Sequence, residues 1–257
     1  MNHKDLSAVV TALSQANRVL FITGAGVSEE SGIPTYRGIG GIYNQKLENG
    51  MEVEELLSIS SFNTNPHLVW KYIYEMENRC RNALPNRGHY IIAKMEEFLP
   101  YVLVVTQNVD GLHRKAGSKN LIELHGYIYN LKCTGCGEET EVSDFSHIDI
   151  PPYCSECGGI IRPDVVFFGE TLPVKKYYRL ISEIKDGFDI VFSVGTSSLF
   201  SYVSLPVYEI KNRGGLTVEI NPSFTVLSHI VDIKITMEAG PALSLIWENY
   251  KQRFKIK

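Results

Sequence analysis

Four of the five cysteines fall in two Cys-x-x-Cys pairs, Cys133/Cys136 and Cys154/Cys157, with 17 residues between the pairs. Two thiolate pairs at this spacing fit a four-cysteine zinc site. Gly135 sits inside the first knuckle and Gly158 follows the second, so the chain can turn tightly enough for both thiolates of a pair to reach one ion. Four thiolates close a tetrahedral shell and leave no position for water, so the expected role of Zn2+ is structural rather than catalytic. A redox dithiol, or cysteines with no ligand, are the alternatives; two pairs at matching spacing weigh against both. Cys80 stands alone and is read as a packed thiol.

Three further groups could do chemistry. Gly24-Ala25-Gly26 follows an apolar run and forms the first half of a dinucleotide fingerprint, but Glu29 holds the place of the third glycine. No acidic residue clearly ends a second strand about 20 positions on, which disfavours a hydride-transfer dehydrogenase. The small residues still let a phosphate approach backbone amides; a tight turn with no ligand is the plainer reading. Gln107-Asn108-Val109-Asp110 puts two amides and a carboxylate in one short turn, suited to a carboxamide or ribose hydroxyls. Singly, such residues are more often turn formers. His125 lies in Glu123-Leu-His-Gly126 at the entrance to the cysteine segment, where an imidazole titrating near neutrality can act as a general base. A lone histidine is usually only a packed one. The other histidines lack such context, although His113 is near the same turn in sequence.

These groups need a scaffold, and apolar periodicity supplies one. Leu6, Val9, Val10 and Leu13 recur at helical spacing and predict a helix over Asp5 to Asn17. Val19 to Ile22, Tyr101 to Val105, Ile190 to Val194, Leu216 to Ile220 and Ile233 to Ile235 read as short buried strands. Helices are expected over Asn86 to Phe98 (with Asn86 as N-cap), Val174 to Ile184, Val203 to Lys211 and Pro241 to Tyr250. Fully apolar strands alternating with helices imply a parallel sheet covered on both faces, with ligands outside the carboxyl ends of the strands. Four strands end in small or amide residues: Gly-Ala-Gly, Gln-Asn-Val-Asp, Gly195-Thr-Ser and Asn221-Pro222. The expected fold is thus α/β, a Rossmann-like parallel-sheet domain formed by residues 1–35, 83–125 and 161–257. Two stretches interrupt it: a loop and helical insertion over 36–82, and a zinc module over 126–160.

The chain carries a net charge of −4, so no basic face for nucleic acid is expected. No apolar run is long enough for a bilayer, and no signal-like core precedes the first helix, so the expectation is a cytoplasmic protein without membrane contact.

Taken together, these segments resemble the sirtuin family from about residue 10 to 245. The segment Gly24-Ala-Gly-Val-Ser-Glu-Glu-Ser-Gly-Ile-Pro-Thr-Tyr-Arg-Gly38 is similar to the family's cofactor loop. Thr106-Gln-Asn-Val-Asp-Gly-Leu-His113, Leu124-His-Gly126, the four cysteines, Arg162-Pro-Asp-Val-Val-Phe-Phe-Gly-Glu170 and Gly195-Thr-Ser197 follow in the family's order. The resemblance implies an NAD-dependent protein lysine deacylase, with deacetylation its leading form, acting on acyl-lysine proteins or peptides. It places Gly24, Ala25, Gly26, Pro34, Thr35, Tyr36, Arg37, Gly195, Thr196, Ser197 and Asn221 around NAD+, and Gln107, Asn108 and Asp110 in the ribose and nicotinamide pocket. It assigns catalysis to His125 and Asn108. Val165, Val166, Phe167 and Phe168 are implied to form a strand that pairs with an extended substrate peptide. In the family's mechanism the acyl oxygen attacks the nicotinamide ribose and expels nicotinamide. His125 then accepts a ribose hydroxyl proton, and O-acyl-ADP-ribose is released. A dry pocket is needed, and Tyr36 is expected to shield it.

The chain departs from the family pattern in three places. Tyr36 stands where Phe is usual. Ser201-Tyr202 replaces Tyr-Pro, which bears on where the following helix begins. Sirtuins specialised for acidic acyl groups use a Tyr and an Arg three residues later; aligning on Trp70 puts Ile73 and Met76 there. Neither can pair with a carboxylate, so neutral acyl groups are expected. The rival readings are NAD hydrolysis or mono-ADP-ribosyl transfer on the same scaffold, which would not need His125, and a non-catalytic NAD-sensing module.

Overall fold

The computed structural model describes residues 2–35 and 50–255, except for the side chain of Arg79. Tyr36 and Arg37 lie outside the described residues.

The expected parallel sheet is present. Strands β1 (Arg18–Thr23), β2 (Tyr101–Thr106), β3 (Leu121–Glu123), β7 (Ile190–Val194), β8 (Leu216–Ile220) and β9 (Ile233–Ile235) form one six-stranded sheet in the order β3-β2-β1-β7-β8-β9. Every pairing in it is parallel. Alternate residues face opposite sides. Val19, Phe21, Val104, Phe192 and Val218 pack under one helical layer, and Leu20, Ile22, Leu103, Val105 and Val191 under another. The first layer is α1 (His3–Gln15), α5 (Arg87–Phe98) and α9 (Ala239–Phe254); the second contains α7 (Val174–Asp186) and α8 (Ser201–Asn212). Phe21 and Phe192 stack at 4.8 Å between centroids on neighbouring strands.

Helix ends follow their caps rather than the apolar period. α1 starts two residues earlier than expected because the Asn2 side chain accepts from the Asp5 amide at 2.8 Å. Asn86 caps α5 as expected, accepting from Gly88 and His89, and the His89 ring returns a bond to the Asn86 amide. Histidine thus takes the place of the usual Glu or Gln in the capping box. α8 starts at Ser201 rather than Val203, so Tyr202 belongs to its first turn.

The two interruptions build one smaller unit. β4 (Gly126–Cys133), β5 (Glu139–Glu141) and β6 (Ile161–Val165) form an antiparallel sheet in the order β5-β4-β6. Its third strand lies beyond residue 160, outside the expected 126–160 module, because β6 pairs with β4 from Cys133–Ile161 to Gly126–Val165. Helices α2 (Val53–Leu56), α3 (Ile59–Thr64) and α4 (Pro66–Cys80) share one core with it. Trp70 is fully buried there, donating to the Ile161 carbonyl at 2.8 Å and meeting Phe145 edge-on.

Of the expected substrate-pairing segment over 165–168, only Val165 belongs to a strand within the chain. β6 stops at Val165, which pairs with Gly126. Val166 donates to the His125 carbonyl, Phe167 to the Glu170 carboxylate, and Phe168 donates to the Leu57 carbonyl and accepts from Ile59 N on the edge that faces Ser58. The three amides are therefore committed within the chain. The 57–59 segment thus covers one edge of the chain at Phe168.

Candidate functional site

Parallel registry brings the strand ends into one row: Thr23 pairs with Thr106 and with Val194, and Val194 with Ile220. The residues that follow, Gly24, Gln107, Gly195 and Asn221, consequently share one edge. Two backbones meet closely there. A Cβ on Gly24 would lie 2.7 Å from the Thr196 Cβ, and one on Gly26 would lie 2.8 Å from the Gly195 Cα. Gly195, at φ +58°, would itself meet the Val27 nitrogen at 2.5 Å. The Gly24 and Gly26 amides donate to Val194 and Gly195 at 3.1 and 2.8 Å. The glycines thus serve loop-to-loop packing first, and these two amides are not spare donors for a phosphate.

Side chains stitch the same loops. Gln107 donates to Thr196 Oγ1 at 2.8 Å, and Asn221 to the Thr196 carbonyl at 3.1 Å. Asn108 donates to the Gly24 carbonyl at 3.0 Å and to Ser28 Oγ at 3.1 Å, and Ser28 donates onward to Asp110 at 2.7 Å. The other Asp110 oxygen accepts from Leu112 N at 2.9 Å, yet burial still pushes this carboxyl above its ordinary pKa. Ser28 is the hub that sequence reading did not single out, although it lies inside the quoted glycine loop.

These loops and the smaller unit enclose a cavity of about 1110 Å³. Gly24, Ala25, Gly26, Thr35, Gln107, Asn108, Gly195, Thr196, Ser197 and Asn221 line it, as do Val165, Val166, Phe167, Phe168, Ile73 and Met76. Pro34 and Asp110 are not in its wall. The dimensions suit a dinucleotide together with a side chain, being at the upper end of ordinary ligand pockets.

His125 also lines the cavity. Its Nε2 is 2.9 Å from the Tyr202 hydroxyl, and its ring meets Phe200 and Tyr202 edge-on. Burial lowers its pKa to about 4, with Lys176 acting in the same direction and a bond to the Gln107 backbone opposing. At neutral pH the ring is uncharged, as a general base requires.

His113, by contrast, is structural. It is buried with His89, the rings meeting edge-on at 4.8 Å, and its Nε2 contacts Thr23 Oγ1 at 2.9 Å. His89 Nε2 and His113 Nδ1 have no hydrogen-bond partner among the described residues. Burial lowers His89 to about 4 and His113 well below the ordinary value. Their folded-state affinity for protons is below that of the unfolded chain, so the unfolded state takes up protons first as pH falls. The stability is therefore present above the ordinary pKa of about 6.5 and is lost as pH falls toward 4. For His89 alone the loss is about 2 kcal/mol at pH 5. Urea unfolding at pH 7 and pH 5 checks this: in His89→Gln the drop between the two should shrink by about that amount. An unchanged pH dependence would remove His89 as the cause.

The four cysteine sulfurs lie within 4.8 Å of one another. Cys133–Cys157 and Cys136–Cys154 separations are 3.4 and 3.7 Å, too long for disulfides. A zinc tetrahedron with Zn–S of about 2.3 Å has edges of about 3.8 Å, so the sulfur set fits the ion. The Gly135 and Cys136 amides point to Cys133 Sγ and the Gly159 amide to Cys157 Sγ, as expected for chain wrapped around thiolates. Among the described residues no helix is long and apolar enough to cross a membrane.

Comparison with known proteins adds to this geometry. The sequence model of the Sir2 family matches residues 24–201. An NAD-dependent protein deacylase 2 of Pseudomonas aeruginosa is 44% identical over 248 residues, covering 95% of this chain and 96% of its own. A mutant Sir2 homologue solved with ADP-ribose superposes with a TM-score of 0.90 at 35% identity, covering 100% of this chain and 99% of its own. A Sir2–p53 peptide–NAD+ complex superposes at 0.83 with 28% identity, both chains fully covered.

Proposed function

The chain belongs to the Sir2 family, and from that premise we propose that it is an NAD-dependent protein deacylase acting on acyl-lysine side chains. The observation that carries the reading is the uncharged His125 on the wall of the same cavity that the strand-end loops line, next to the Gln107 backbone. NAD supplies an electrophilic ribose carbon to which the acyl group passes as nicotinamide leaves. The protein's residues divide the rest of the work. Gly24, Ala25, Gly26, Thr35, Gly195, Thr196, Ser197 and Asn221 line the place of the ADP-ribose part, with Pro34, Tyr36 and Arg37 carried over from the family pattern. Gln107, Asn108 and Asp110 shape the ribose and nicotinamide end; Ser28 fixes Asn108 and Asp110 relative to each other. His125 accepts the ribose hydroxyl proton. Val165 to Phe168 form the wall past which the acyl-lysine enters. Zinc, held by Cys133, Cys136, Cys154 and Cys157, fixes the far end of the small sheet. Four reduced thiolates suit a cytoplasmic setting.

The acyl group is neutral. Ile73 and Met76 both line the cavity, at the places where a Tyr and an Arg would read a carboxylate, and an unpaired charge there is costly. Mass spectrometry of acetyl-, hexanoyl- and succinyl-lysine peptides, with and without NAD, tests function and class together. The neutral peptides should lose their acyl groups only with NAD, giving O-acyl-ADP-ribose, while succinyl turnover should be at least about tenfold slower. Succinyl turnover equal to acetyl would refute the class assignment. Nicotinamide release with every peptide left intact would instead favour an NAD hydrolase or ADP-ribosyltransferase.

A further inference from the structure

The family pattern places Tyr-Pro where this chain has Ser201-Tyr202, and the change puts a hydroxyl on the general base. α8 begins at Ser201, so Tyr202 occupies its first turn, with Phe200 as the N-cap residue. Phe200 and Tyr202 stack at 5.3 Å with 8° between their planes, and the His125 ring stands edge-on to both. This stack fixes the phenol ring, and the Tyr202 hydroxyl lies 2.9 Å from His125 Nε2. The Gln107 backbone bond to His125 favours the protonated ring, which makes the nitrogen facing it a donor. With Nε2 turned to Tyr202, that donor is Nδ1–H, and Nε2 is left as the acceptor of the phenol proton.

We propose that Tyr202 is a positioning residue for the base: its hydroxyl donates to His125 Nε2, holds the ring in the Nδ1–H tautomer, and occupies the basic lone pair until a ribose hydroxyl displaces it. The proposal rests on the assignment of His125 as the base. Burial raises the Tyr202 phenol to about 12, so it keeps its proton and stays a donor at working pH. The neighbouring charges do not supply an alternative proton. Lys176 of α7 acts on His125 through its charge alone, which opposes protonation of the ring. Asp110 is tied to Ser28 and Leu112, Glu170 to Arg162, and Glu123 to Arg114. A donor to the neutral imidazole favours the neutral form, so Tyr202 helps keep the base ready and lowers its affinity for protons.

The test is the 15N spectrum of histidine-labelled, zinc-loaded protein, with His125→Ala assigning the ring signals. In the native chain Nε2 should resonate as an unprotonated, hydrogen-bonded nitrogen and Nδ1 as N–H. Tyr202→Phe keeps the stacked ring and removes only the hydroxyl. It should move the Nε2 signal toward a bare imine nitrogen and raise the His125 midpoint by about half to one pH unit. 3-Fluorotyrosine at position 202, a stronger donor in the same shape, should move both in the opposite direction, which guards against a fold effect of the Phe variant. Nε2 protonated in the native chain, or a spectrum and midpoint indifferent to both changes, would overturn the proposal. Loss of deacylation is a separate readout: if His125→Ala keeps full turnover, the base assignment falls while the spectra still report whether the bond exists.

Discussion

His125→Ala is expected to lower kcat/KM for an acetyl-lysine peptide by about 10²–10⁴, the usual worth of a positioned general base. Binding of NAD should change little, because the side-chain bonds that Gln107, Asn108 and Asn221 make between the loops do not involve the imidazole. The substitution leaves a cavity beside Phe200 and Tyr202, so a thermal melt must accompany the kinetics. A loss of turnover with the melt preserved isolates the proton transfer. The pH profile carries the same information with a definite sign. A base must be unprotonated to act, and His125 titrates near 4, so activity owed to it falls only as pH drops through that value. Turnover in the Ala variant within about fivefold of the native chain would mean that another group takes the proton, since even a weak general base contributes more than that.

The sequence made the large sheet legible because its strands are buried on both faces and therefore read as unbroken apolar runs. Ile190–Val194, Leu216–Ile220 and Ile233–Ile235 have the expected bounds. The row of small and amide residues at their ends follows from the parallel arrangement, so the ligand edge could be read before any coordinates. The cysteines were legible because zinc dictates their spacing. Pairings between distant segments left no local trace. Tyr202 meets His125 across 77 positions, and Phe168 is captured by residues 57–59 through backbone bonds that carry no side-chain signature. His113 adjoined the motif in sequence, yet its ring turned away from the cavity to pack on His89; adjacency along the chain says nothing about which side of a turn a side chain takes. The glycines of the first loop line the cavity and are also spaced for the close approach of the Gly195–Thr196 loop, a packing demand that the local sequence does not reveal.

Removal of zinc should abolish activity by undoing the small sheet rather than by touching the chemistry. The four sulfurs clasp one end of β4 and β6: Cys133 pairs with Ile161, while Gly126 and Val165 pair at the opposite end, next to His125 and the cavity wall. Gly126 at that end is held without tolerance, since a Cβ there would lie 1.9 Å from the Asp164 carbonyl oxygen. Without the metal nothing ties the four sulfurs together, and the unit is left with the core around Trp70, Tyr129 and Phe145 to hold it. Structural zinc contributes about 10–16 kcal/mol in small isolated modules, as much as the whole stability of an ordinary domain. Cys154→Ser should therefore lower metal content from one zinc per chain, open the segment between Gly126 and Val165 to proteolysis, and cost nearly all deacylase activity. The large sheet has its own two cores and should keep its protection from hydrogen exchange in β1, β2 and β7. Elemental analysis and limited proteolysis on the same samples decide the matter: metal-free protein that resists cleavage and still deacylates would show that the cysteines pack without an ion.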